Sequence, residues 1–110
     1  MTIIYVAGPI SGIKDHNRPL FNMVASELAD QGHSVLNPAI LPDGLSQGQY
    51  MQICLPMVAV ADELVMLPGW EQSEGAYIEF CLAKKSGKTI RELGGRVLHQ
   101  GEGNEQQRNE

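Results

Sequence analysis

Apolar residues fall in short blocks, and the spacing inside each block changes along the chain. Ile3-Ile4-Tyr5-Val6-Ala7 is a β-branched and aromatic run ended by Gly8-Pro9, which predicts a buried strand followed by a loop. A polar stretch leads to Asn17, a candidate helix cap. Leu20, Phe21, Val24, Ala25 and Leu28 then recur at helical spacing, with Gly32 as the stop. His33 to Asn37 reads as a second strand closed by Pro38, and Pro38 to Gly48 as a mobile loop of the kind that carries function at strand ends. A second helix is predicted from about Tyr50 to Ala61. Pro56 lies inside it, so a kink or break is expected near Cys54.

Glu63 to Leu67 forms a third strand, terminated by Pro68-Gly69. Ser73 caps a third helix through Ala76, Tyr77, Phe80, Leu82 and Ala83, with Gly87 as its stop. Lys88 to Leu93 reads as a fourth strand, which Gly94-Gly95 turns into a hairpin with Arg96-Val97-Leu98. Helices alternating with strands imply a mostly parallel sheet covered on both faces. The expected fold is a single-domain, three-layer α/β sandwich of flavodoxin or Rossmann type, with four or five strands over residues 1–100. Residues 101–110 hold no apolar residue and are expected to form a solvated tail. Ligands collect beyond the carboxyl ends of such strands, which directs attention to Gly8–Gly12, Pro38–Gly48 and Pro68–Ser73.

Composition narrows the function. A chain of 110 residues makes one domain. Eight Lys and Arg against thirteen Asp and Glu leave a net charge of −5, which argues against a polynucleotide partner. No apolar run is long enough to span a bilayer, and the first residues lack the features of a secretory signal, so no membrane partner is expected. Cys54 and Cys81 fit neither a disulfide framework nor a CxxC motif; both read as small buried hydrophobes in a cytoplasmic protein. His16, His33 and His99 are scattered, so no metal is expected, and no organic cofactor is implied.

Two phosphate motifs fail. Gly8-Pro9-Ile10-Ser11-Gly12 lacks the three-glycine spacing of a dinucleotide fingerprint, and Gly87-Lys88-Thr89 ends a helix where a P-loop begins one. Ser73-Glu74-Gly75-Ala76-Tyr77-Ile78-Glu79 is more informative. The Ser73 hydroxyl and the free N–H groups of Gly75 and Ala76 would form an anion site at a helix amino end. Glu79 lies one turn on, about 6 Å along the same face, and Gly75 leaves room for a ligand touching both ends. A nucleotide fits that span, although a serine cap, a packing glycine and a solvated glutamate would produce the same residues.

Tyr5-Val6-Ala7-Gly8-Pro9-Ile10-Ser11-Gly12, Ala61-Asp62 and Ser73-x-Gly75-x-x-x-Glu79 together resemble the nucleoside 2-deoxyribosyltransferase-like proteins. Leu67-Pro68-Gly69-Trp70-Glu71-x-Ser73-x-Gly75-Ala76 is closest to the DUF4406 branch, and the likeness covers residues 1 to about 90. The resemblance implies N-glycosidic bond chemistry, with Glu79 as the nucleophile toward the anomeric carbon and Tyr5 orienting it. Serine at position 73, where nucleoside transferases carry an acid, is similar to the 5′-monophosphate hydrolases. Gly8, Ile10, Ser11 and Gly12 match the loop that wraps sugar and phosphate in those hydrolases. One departure stands out: relatives place an aspartate at the position of Cys54, and a thiol is a poor acid.

Asp62 reads as a structural cap, and Asp43, in the loop, as an acid that would have to move in. Trp70 either stacks on a base or covers the third helix; Asn37 either contacts ligand or forms the turn before Pro38. The expected activity is hydrolysis of a (deoxy)nucleoside 5′-monophosphate. The alternatives are a non-catalytic nucleotide-binding module and a nucleoside 2-deoxyribosyltransferase. Relatives assemble as homodimers or larger homo-oligomers, for which Met51, Met57 and Val58 on the second helix offer an interface.

Overall fold

A computed structural model describes residues 2–101. The strands are β1 (Ile3–Ala7), β2 (Ser34–Leu36), β3 (Glu63–Met66), β4 (Thr89–Glu92) and β5 (Val97–His99); the helices are α1 (Arg18–Asp30), α2 (Gln47–Val60) and α3 (Glu74–Lys85). The sheet runs β2-β1-β3-β4-β5. Every pairing is parallel except β4 with β5, which close an antiparallel hairpin. Gly94 and Gly95 turn that hairpin with φ of +106° and +105°, a region that favours glycine.

Period-two alternation along β1 and β3 divides the core into two layers. Ile4, Val6, Val65 and Leu67 pack against Phe21 and Val24 of α1. Tyr5, Ala7, Leu64 and Met66 face the other way, onto Cys54 and Val58 of α2 and Ala76 and Ala83 of α3. The expected three-layer sandwich is therefore the observed one. From β1 the chain passes first to β2 on one side and then to β3 on the other, so the sheet order reverses at β1. A crevice opens beyond its carboxyl end.

α2 differs from its expected form. It starts at Gln47, three residues early, because Ser46 and Gln49 form a reciprocal capping box. It also continues through Pro56 without a break. Pro56 is exposed, so water can reach the carbonyl that its missing N–H leaves unpaired. The interface expected on this helix loses two of its residues: Val58 is fully buried within the protomer, and Met51 lines a cavity. Cys81 is exposed on the outer face of α3, whereas Cys54 is buried as expected. Of the expected tail, Gly101 donates its N–H to Thr89 Oγ1 at 2.8 Å, and residues 102–110 lie outside the described residues. Among the described residues no helix is long and apolar enough to cross a membrane.

Candidate active site

The crevice at the switch point is a cavity of about 700 Å³, within the usual range for a small-molecule site. Pro38 after β2 and three stretches of chain wall it: parts of the Gly8–Ile13 loop after β1, one face of α2, and parts of the segment from Pro68 to Glu79 after β3. Glu79 and Tyr5 lie on its surface. Tyr5 is the third residue of β1, so alternation points its ring toward α3; Glu79 lies in the second turn of α3 and points back. The Tyr5 hydroxyl donates to Glu79 Oε2 at 2.8 Å across 74 residues of sequence.

Glu79 is 6% exposed and Tyr5 fully buried. Burial penalises the charged carboxylate and raises Glu79 to about 7, while the hydrogen bond from Tyr5 pulls the other way. Tyr5 is itself pushed well above the ordinary phenol range, first by burial and then by the negative charge of Glu79. Cys54 belongs to the same buried cluster as Tyr5, and the thiol and the phenol influence each other's protonation. Burial raises the Cys54 thiol as well. The result is a carboxylate that changes charge near neutral pH beside a phenol that holds its proton.

The helix amino end is arranged slightly differently from the sequence expectation. Ser73 caps α3 by accepting the Ala76 N–H at 3.3 Å, so that N–H is already engaged. The first-turn N–H groups that this cap does not engage are those of Glu74 and Gly75. The space over Gly75 is shared with α2. A Cβ there would stand 3.0 Å from Gln47 Nε2 and 3.4 Å from Met51 Sδ. Gly8 is also a packing glycine, since a Cβ on it would meet Leu67 Cβ at 2.7 Å. Asn17 braces the loop between them by donating to the Pro9 carbonyl at 3.1 Å.

Gly8, Ile10, Ser11, Ser73 and Gly75 join Tyr5 and Glu79 on the cavity wall. Three other candidates lie elsewhere. Gly12 is off the wall, between Ser11 and Ile13, which are on it. Asn37 accepts the Ala39 N–H at 2.9 Å and donates to Asn22 at 2.9 Å, which builds the turn at Pro38. Trp70 stacks over α3 with Tyr77 and Phe80 and donates to Glu92 at 3.4 Å. It borders a smaller depression on the other side.

The two other acids are engaged as well. Asp62 accepts the Ile3 N–H at 2.9 Å, at the start of β1 and far along the strand from the cavity. Asp43 is held by Arg18 at 2.8 Å and His16 at 3.4 Å, and the Arg18 guanidinium keeps its carboxyl below the usual range. Arg18 also donates to the Ala39 and Leu41 carbonyls, fastening the segment that was expected to move. Of the α2 wall the sequence reading had placed only Cys54 at the site, through the family resemblance. Gln47, Tyr50, Met51 and Cys54 all line the cavity, at steps of three, one and three that place them on one helical face.

The family profile described as "Domain of unknown function (DUF4406)" matches residues 2–92. No curated protein matches the chain. Among solved structures, the chain is similar to a Clostridium botulinum CMP N-glycosidase, BcmB, with a TM-score of 0.60 and 20% identity. The match covers 82% of this chain and 66% of that one, so the chain spans about two thirds of that enzyme's length.

Proposed function

We propose, for a chain that belongs to the DUF4406 family, hydrolysis of the N-glycosidic bond of a (deoxy)nucleoside 5′-monophosphate. The observation that carries this reading is the buried Glu79 carboxylate at the cavity surface, oriented by the Tyr5 hydroxyl at 2.8 Å. The fold shared with an enzyme named as a CMP N-glycosidase supports nucleotide N-glycoside hydrolysis as the reaction class. In this reading Glu79 attacks the anomeric carbon and forms a glycosyl ester, which water then hydrolyses. Tyr5 fixes one carboxylate oxygen by its hydrogen bond and leaves the other free for attack. Attack requires the ionised form, so activity rises as pH increases through about 7.

The 5′-phosphate would lie at the amino end of α3, against the N–H groups of Glu74 and Gly75 and the Ser73 hydroxyl, with Ser11 opposite. One turn of helix separates that anion site from Glu79, about 6 Å. Two free cysteines suit a reducing cytoplasm. Homo-oligomerisation would use the exposed Ile53 and Val60 of α2 together with Met57 from the expected interface.

Cys54 favours a second reading, a nucleotide-binding module without turnover, because a buried thiol supplies no efficient acid to a departing base. Incubation with deoxynucleoside and ribonucleoside monophosphates, with chromatography of the free base, separates the possibilities. Base release that disappears in Glu79→Gln supports the hydrolase. Binding without release supports the module, and release that requires an acceptor base supports a transferase.

A further inference from the structure

The ionisable side chains on the cavity wall point to a particular leaving group. Cleaving a neutral N-glycoside requires a proton on the departing nitrogen, delivered by a group aimed at it. Among the described residues the wall carries no histidine, aspartate, lysine or arginine. Glu79 is the nucleophile of the proposed reaction. Tyr5 directs its proton to Glu79, and burial makes both that phenol and the Cys54 thiol weaker acids. Tyr50 lines the wall from α2, and its side chain interacts with the Arg18 guanidinium, which is not on the wall. Glu74 stands exposed to solvent at the first turn of α3 and adds a second negative charge to the wall. Glu74 stands at the amino end of α3, away from the bond that breaks, so the carboxylate beside that bond is Glu79, and the wall holds no basic side chain and no aimed proton donor. That arrangement suits a base that departs without being protonated.

We propose that the preferred substrate is an N-glycoside whose base is already cationic: a nucleoside 5′-monophosphate bearing a pyridinium ring or an N-alkylated purine. The inference rests on the glycosidase reading above and specifies its substrate class. A Glu79 oxygen bonds to the anomeric carbon as the carbon–nitrogen bond breaks. The electron pair of that bond neutralises the ring, and the base leaves uncharged. Water then attacks the anomeric carbon, the ester pair returns to Glu79, and one proton goes to solvent. Neither step moves a proton onto the base.

The test compares nicotinamide mononucleotide and 7-methyl-2′-deoxyguanosine 5′-monophosphate with dGMP, dCMP and CMP on the full chain, measuring base release and its pH dependence. The expected result is kcat/KM about 100-fold or more higher for at least one cationic compound, within the factor of ~10²–10⁴ that a general acid supplies. Comparison of the two cationic probes tells pyridinium from purinium. With nicotinamide mononucleotide, whose ring charge does not titrate, the rate should rise through about pH 7 with Glu79 and then stay level. Cleavage of the neutral monophosphates within tenfold of the cationic ones overturns the inference, as does an alkaline fall in rate on nicotinamide mononucleotide, while leaving the glycosidase reading intact. Absence of release from every compound, or release that persists in Glu79→Gln, overturns the glycosidase reading and this inference together.

Discussion

Replacing Tyr5 by phenylalanine removes one oxygen from the cavity floor and leaves the ring in place. The lost contact is a 2.8 Å hydrogen bond to a buried carboxylate, and its direction is to favour the charged form of Glu79. Hydrogen bonds to charged groups are worth ~1.5–3 kcal/mol, and one pKa unit corresponds to ~1.4 kcal/mol, so Glu79 should rise by about one to two units. Its midpoint would move from about 7 in the wild type to roughly 8–9 in the variant. At neutral pH the ionised fraction would fall from about a half to between about a tenth and about a hundredth, slowing base release ~5- to 50-fold. Raising the pH should recover most of that loss. The assay is a carboxyl-carbon NMR titration of Glu79 in both proteins, alongside base release from about pH 5 to pH 10. A Glu79 midpoint in Tyr5→Phe that stays put or falls would refute the role given to this hydroxyl.

Three further outcomes concern stability and thiol reactivity. Glu79 is raised from 4.5 to about 7 in the fold, so the folded chain holds its proton more tightly than the unfolded one, and stability declines as pH rises between those values. The decline amounts to about 3 kcal/mol. Glu79→Gln should therefore match the wild type in urea denaturation near pH 4.5 and exceed it by about that amount above pH 7; an equal difference at both pH values would contradict it. Gly8→Ala places a Cβ 2.7 Å from Leu67 Cβ, which cannot rotate away, and should cost about 1–3 kcal/mol in the same assay. Cys81, exposed on α3, should react with a maleimide in the native protein, while buried Cys54 should react only slowly, and more slowly still with nucleotide bound; equal reactivity would count against the placement of Cys54.

Local rules carried the sequence reading a long way. The run Ile3 to Ala7 is β-branched, aromatic and apolar throughout, so a buried strand was legible, while the direction of Tyr5 came only from the family resemblance. Ser73 read as a cap and Glu79 as lying on the face of Gly75 because both inferences need only one turn of helix. α2 was harder to read. It is apolar on several sides, so its periodicity does not say which face meets the sheet and which meets the cavity. Its early start was written in Ser46-x-x-Gln49, but the two glycines and two prolines nearby made the segment look like loop. Trp70 has a partner that no local pattern announces: Glu92, 22 residues away on β4. Asn37 had two readings, and its side chain is taken up by turn contacts to Ala39 and Asn22. Asp43 was read as free to move because its tether, Arg18, is 25 residues earlier.

The contact that joins the first strand to the last helix also dates the site within the life of the chain. During synthesis β1 emerges early, with nothing opposite its third residue. Until position 79 has left the ribosome and α3 has docked, the phenol has no carboxylate to meet. Fragments released before that point would keep the opening glycine loop and the first two strands yet lack the Tyr5–Glu79 pair. On the reading proposed above, the ability to act on a ligand would arrive late and all at once.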